Sequence, residues 1–378
     1  MDRKQRSSNF ELMRIFAMLL IVTYHYALFS GFRFVGTDIA ANRLFYQNML
    51  LTGKTGVNLF VMVSGYFQIR SRLRTSKVLQ LWGQSFFYIM VIYFLFRDAA
   101  GTGRTGMGGM GAMAQDTLMG KIFFLSSGVQ WFIATYMVMY LLSPYLNVLL
   151  NSMDRKTYRS MLILMSVLWV LIPTLSEIPG LVVTEFQGSD LMFFLYLYSL
   201  GAYLRLYHEE GGRSASFWFG LSAAVWALCV AVIVAVDIWN TKSMGRLRLL
   251  DYLFNYQNHA LIMMWSVCLF LGFKQLKVKN SRVINYISSL TFGIYLIHDN
   301  WQIRTAFWQN VIKGASRAAS PWFIPASILA VLAVFLGCGL IEAVRKLTVE
   351  RLWMALVERT APHIDRALER LTGSEEER

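Results

Sequence analysis

Charge is what this sequence has least of. Only 15% of its 378 residues are Asp, Glu, Lys or Arg, against about 25% in an ordinary soluble domain. Hydrophobic residues make up 56%, and the mean hydropathy is +0.45. A soluble globule of this size needs a wettable exterior, and so few charged side chains do not supply one. Lipid is the solvent that such a surface requires. Cysteine is scarce too: Cys229, Cys268 and Cys338 each lie within an apolar run. No CxxC or Cys/His ligand spacing accompanies them, so neither a disulfide framework nor a metal site is expected. Walker motifs, GxGxxG and internal repeats are also missing, which leaves ATP-driven and dinucleotide chemistry without support.

What is present is a series of long apolar runs separated by short basic clusters. A membrane-spanning helix needs roughly 20 mainly apolar residues. The runs that qualify are 12–31, 50–69, 78–96, 129–150, 161–180, 191–207, 217–239, 252–273, 283–301 and 322–343. The expected fold is therefore an all-α polytopic membrane bundle of about ten helices. The N-terminus is basic, and its apolar run lacks a small-residue cleavage site, so it reads as a retained first helix.

The net charge of +14 sits mainly in the connections 70–77, 154–159, 205–213 and 274–282, beside the basic N-terminus. Such clusters are topology signals facing the cytoplasm and anionic headgroups, not a nucleic-acid groove. They predict both termini in the cytoplasm, although the loops carrying Arg97 and Arg246–Arg248 fall outside and run against the pattern. Two domains follow: residues 1–343 form the bundle, and 344–378 form a charged amphipathic tail. Leu352, Leu356 and Val357 give that tail a surface-lying face, and its Glu-rich tip is expected to be disordered. Ala99–Gln115, rich in Gly and Met, reads as an outer loop.

Ionisable groups inside a membrane are costly and mark function by default. The first helix carries Glu11, Arg14 and His25. Arg14 and His25 are eleven residues apart, which places them about 20° apart around the helix and roughly 16 Å apart along it. Glu11 stands one turn before Arg14, in register for an ion pair. By the same topology His25, His259 and His298 share the outer half of the membrane, while His208 and His363 fall in cytoplasmic segments. Interfacial snorkelling of Arg14 and helix packing of the histidines are the structural alternatives.

Arg14, ten intervening residues and His25, in the setting Phe10-Glu11-Leu12-Met13-Arg14-Ile15, resemble the first-helix signature of the acyltransferase-3 family. These are membrane proteins that acylate, usually O-acetylate, bacterial glycans and related cell-surface molecules. Gly56 to Tyr66, ending Ser64-Gly65-Tyr66, resembles the family's second-helix segment. Trp131-Phe132 with Tyr140 and Ser143-Pro144 resembles its fourth helix, and Thr291-Phe292-Gly293-Ile294-Tyr295-Leu296-Ile297-His298 its late Tyr-Leu-x-His segment. Glu11 and Asn58 stand where the family often has Asp, so neither is assigned a catalytic role.

The resemblance implies an acyl-CoA donor, most often acetyl-CoA, no metal, and a glycan hydroxyl as acceptor, on a surface polysaccharide or a lipid-linked saccharide. Arg14 and the adjacent Arg70, Arg72, Arg74 and Lys77 would suit the phosphates of CoA. Ser64 and Gly65 lie near the level of Arg14, where the glycine serves either close ligand approach or close helix packing. His25 is then the general base, or the site of an acyl-histidine intermediate. Tyr295 or His298 polarises the thioester carbonyl or orients His25. A ten-helix transporter or flippase draws on the same intramembrane charges, and a binding module without turnover is a third reading. The acyl group, acetyl or succinyl, is open at this stage.

Overall fold

The computed structural model describes residues 7–34, 40–96, 131–176, 190–208, 212–242 and 258–372. The Ala99–Gln115 loop, the loops holding Arg97 and Arg246–Arg248 and the Glu-rich tip lie outside the described residues. Among the described residues every regular element is helical. They are α1 Ser8–Phe29, α2 Ala41–Gln68, α3 Thr75–Phe96, α4 Trp131–Ser152, α5 Arg155–Ser176, α6 Asp190–Leu206 and α7 Ala215–Lys242. After these come α8 Ala260–Gln275, α9 Arg282–Ser288, α10 Thr291–His298, α11 Phe323–Leu347 and α12 Val349–Thr372.

Local chemistry explains several of these elements. Asp154 caps α5 by accepting the Thr157 N–H at 3.1 Å. α5 is continuous across a π-helical turn at Val167–Leu171. Pro144 cannot supply the N–H that the Tyr140 carbonyl would receive, and the Ser143 hydroxyl donates to that carbonyl at 2.7 Å instead. α4 therefore passes through its proline unbroken.

Among the described residues, six helices are long and apolar enough to cross a membrane: α1, α3, α4, α5, α7 through Trp239, and α11. The ten expected spans are thus not matched one for one. α2 is interrupted in character by Lys54 and Asn58. α6 and α8, at 17 and 16 residues, reach about 25 Å at the helical rise, short of a hydrocarbon core of about 30 Å. The expected ninth helix, 283–301, is broken. α9 is capped by Ser281 and ends at Ser288, whose hydroxyl is held by Glu11 at 2.5 Å, and α10 begins at Thr291 after a tight turn. α11 runs to Leu347.

Packing begins with close backbone approach. α2 and α6 meet at reciprocal glycines: a Cβ on Gly65 would enter the Tyr198 backbone, and one on Gly201 would enter that of Met62. Two hydrophobic clusters result. Phe10, Leu59, Phe194 and Phe270 belong to one, and Ile21, Tyr26, Tyr295 and Trp308 to the other. Val57, Phe60 and Phe132 are only partly buried and pack against both, marking a seam between them.

The basic connections converge on one end of the bundle. Asn9 donates to the Phe273 and Lys274 carbonyls, Asn147 to that of Gln68, and Tyr207 to that of Met153. At this end α12 does more than lie on a surface. The Trp353 indole rests on Gly83 and donates to the Leu79 carbonyl at 3.3 Å, Val357 and Ala361 are buried, and Thr75 bonds Asp365. Leu352 and Leu356 remain exposed, so the helix carries two apolar stripes, one turned to α3 and one open.

Candidate active site

At the end opposite the basic connections, α1 and α10 bring two imidazoles together. His25 Nδ1 lies 2.9 Å from His298 Nε2, and His298 Nδ1 lies 2.6 Å from the Ile294 carbonyl oxygen. A carbonyl only accepts, so His298 Nδ1 carries a hydrogen. With both rings neutral, its Nε2 is then the acceptor and His25 Nδ1 the donor. The lone pair at the end of this chain belongs to His25 Nε2. That nitrogen sits 3.8 Å from Asp299 Oδ1. His25 retains 12% side-chain exposure, whereas His298 is 1% exposed, wedged edge-on between Tyr295 and Trp308. One ring is reachable, and the other holds it.

Asp299 and Arg304 belong to the same cluster. Arg304 approaches Asp299 Oδ1 at 3.3 Å and its guanidinium lies 4.4 Å from the Phe29 ring centre. The turn after α10 is pinned to α3, because the Gln302 side chain donates to the Ile89 carbonyl at 3.0 Å. Sequence reasoning passed over Asp299 and Arg304. The available signal was an acid directly after His298 at the edge of an apolar run.

α10 itself rests on a buried ionic network. The Glu342 carboxylate lies against Gly293, where no side chain would fit. It receives Tyr88 Oη at 2.6 Å, Gln84 Nε2 at 3.0 Å and both arms of Arg345 at 2.8 Å. Arg345 also reaches Glu350 of α12 at 2.5 Å. Every polar atom of the Glu342 carboxylate is thus partnered, the condition for a buried charge to be tolerated.

The basic end holds a cavity of about 1350 Å³ lined by Arg14, Arg70, Arg205, Lys274 and Lys277, with Glu11 as its acid. Glu11 and Arg14 form the expected ion pair at 2.8 Å, and Glu11 also ties α1 to α9 through Ser288. Phe10, Tyr66 and Phe67 give the cavity an aromatic wall. Arg205, Lys274 and Lys277 were read from sequence only as loop charges. Their convergence comes from two separate connections. Arg70 lines the cavity. Arg72 is exposed and is not part of its wall.

Ser64 and Gly65 immediately precede Tyr66 and Phe67, which line the basic cavity. The Ser64 hydroxyl donates to the Phe60 carbonyl at 2.9 Å and meets Tyr136 Oη at 3.0 Å. Gly65 takes the packing option, filled by the α6 backbone. Phe132 stacks on Tyr136 and meets Tyr295 edge-on at 5.4 Å, so an aromatic ladder follows the seam from the histidine pair toward the basic end. Among the other histidines, His259 stands at the head of α8, where Ala260 N–H donates to Thr174. His208 bonds Lys274 at the basic end, and His363 is exposed on α12.

The arrangement is a polar base buried at one end and a polycationic cavity at the other, joined by an aromatic seam. Comparison with curated proteins and with solved structures finds no match. A family model described as an acyltransferase domain does match, over residues 7–342 of the 378. That span takes in the Arg14/His25 face, the α2 glycine segment, the α10 pair and Glu342 together. The chain is a multi-pass membrane protein of the acyltransferase-3 family, and its bundle is a membrane acyltransferase domain.

Proposed function

We propose that the protein moves an acetyl group from cytoplasmic acetyl-CoA to a hydroxyl of a glycan, on a surface polysaccharide or a lipid-linked saccharide. Both termini and the basic end then face the cytoplasm of a bacterium, and the histidine pair lies toward the outer face of the cell membrane. The observation that carries this reading is the relay from the Ile294 carbonyl through His298 to His25, which leaves His25 Nε2 as an oriented base.

The cation cavity is suited to the phosphates of CoA, with Arg14, Arg70 and Arg205 as bidentate donors and Lys274 and Lys277 as point charges. The thioester arm would follow the seam along α1 toward His25, about 16 Å further on. There the acceptor hydroxyl gives its proton to His25 Nε2 and its oxygen bonds to the thioester carbonyl carbon. The carbon–sulfur bond breaks as the carbonyl re-forms, and the thiolate takes the proton back from His25. Asp299, 3.8 Å from Nε2, stabilises the imidazolium between these two transfers. That placement favours direct transfer, because it rewards a proton on Nε2, not an acyl group.

Purified protein in lipid nanodiscs with labelled acetyl-CoA tests the reading. Wild type releases CoA and labels a glycan acceptor, His25→Ala binds donor without turnover, and Arg14→Ala binds donor weakly. A folded wild type that neither bound nor consumed acyl-CoAs of several chain lengths would remove the donor assignment and favour transport.

A further inference from the structure

We propose that Lys54 is a catalytic residue, its ammonium group receiving the negative charge that forms on the thioester carbonyl oxygen beside His25. The inference rests on the acyl-transfer reading above and adds the electrophilic half of the site.

The placement comes from helix packing. α1 and α2 run antiparallel, and Thr52 Oγ1 donates to the Leu20 carbonyl at 2.9 Å. Gly53 has no room for a side chain because Tyr24 fills the space. This close approach sets residue 54 at the level of Tyr24 and His25, whose rings are 5.5 Å apart. Lys54 Nζ lies 5.0 Å from the Tyr24 ring centre. Its charge acts on His25 from α2, and on Asp190 at the head of α6.

A tetrahedral acyl-transfer intermediate needs a donor aimed at its oxyanion. Two of the other polar groups around His25 are already engaged. His298 uses Nδ1 on Ile294 and Nε2 on His25. Arg304 is drawn to Asp299 and over Phe29. Lys54 has no hydrogen bond or ion pair with any described residue, only the face of Tyr24. An ammonium in the apolar part of a helix is costly, and here no described carboxylate is in contact with it. Its three N–H donors are available to a ligand beside His25.

The step balances without any change in Lys54. The acceptor hydroxyl proton passes to His25 Nε2 and the carbon–oxygen bond forms. The carbonyl π pair moves to oxygen, where the Lys54 ammonium binds it. The pair returns as the carbon–sulfur bond breaks, and the thiolate is protonated by His25.

The test uses the full chain in nanodiscs, with acetyl-CoA turnover and binding of a non-transferable thioether analogue measured on the same preparations. Lys54→Met keeps the stem and removes the charge. It is expected to lose about 10²–10³-fold in kcat, with KM for donor and acceptor changed less than about threefold. Lys54→Arg restores part of that loss. Retained analogue binding identifies a folded variant. If Lys54→Met turned over like wild type, or raised acceptor KM at unchanged kcat, the oxyanion assignment would be overturned while the acyltransferase reading stood. No turnover in wild type would instead remove the reading beneath it.

Discussion

His298 stands with one ring nitrogen 2.6 Å from the Ile294 carbonyl and the other 2.9 Å from His25, so the protonation state of one imidazole dictates that of the next. Donation runs inward, from the more exposed ring of His25 through His298 to the backbone carbonyl. Since His298 is buried and both its nitrogens are occupied, its contribution goes through His25. It is a positioning residue.

His298→Ala therefore lowers kcat by roughly 10²-fold, within the range for a positioned acid–base group, and leaves donor KM near its wild-type value. His298→Asn recovers part of the loss as its amide nitrogen donates to the Ile294 carbonyl or its amide oxygen accepts from His25 Nδ1. Steady-state kinetics at saturating donor checks this. A His298→Ala enzyme with wild-type kcat would show that His25 needs no second ring.

Arg205 reaches the Tyr66 hydroxyl at 3.2 Å and lies 5.1 Å from its ring centre, and both residues line the cation cavity. A hydrogen bond to a charged group contributes about 1.5–3 kcal/mol. Arg205→Ala thus weakens acetyl-CoA binding about 10- to 100-fold while kcat at saturation is kept. The loss shrinks at high salt, where the remaining wild-type attraction is itself screened. Titration calorimetry at two ionic strengths reads both effects.

Glu342 and Gly293 are coupled by contact. Glu342→Ala leaves Arg345 buried with Glu350 as its only carboxylate and costs about 3–5 kcal/mol. Gly293→Ala drives a methyl into the same carboxylate, at about 1–3 kcal/mol or more. Each lowers the thermal midpoint in detergent, and the double variant costs less than the sum, because the methyl then meets a smaller neighbour. Strict additivity would show that the two residues do not share this contact.

Gly65 gives a separate reading of the α2 segment. Gly65→Ala pushes α2 from α6 and lowers the melting temperature, as Gly201→Ala does from the opposite helix. Donor affinity of the folded fraction stays unchanged in both. A selective loss of donor binding in Gly65→Ala alone would place the ligand against that glycine after all.

Asp299 holds Arg304 and faces His25 Nε2. Asp299→Asn keeps the side-chain volume and removes the charge that stabilises the imidazolium, so kcat falls by about tenfold or more with little change in donor binding. The same variant frees Arg304, and Arg304→Gln added to it produces less than its separate effect.

Much of this protein is legible in its residues one segment at a time. The shortage of charge requires lipid, the apolar runs require helices, and the eleven-residue spacing of Arg14 and His25 sets them on one face. The Glu11–Arg14 pair follows from the same periodicity. These are local properties, decided by bonds and turns within one helix.

Only the tertiary structure decided what those faces meet. His25 and His298 are 273 residues apart in the chain, and no period relates them. Five cations from α1, α6, α8 and two connecting segments surround one cavity, and Lys54 is aligned with His25 because Gly53 lets α2 close on Tyr24. The break between α9 and α10 depends on the Glu11 carboxylate holding Ser288 from another helix. Apolarity drives a helix into the membrane without naming its neighbour. The neighbour is selected by close packing at small residues and by the need to partner each buried charge, and both are properties of helix pairs.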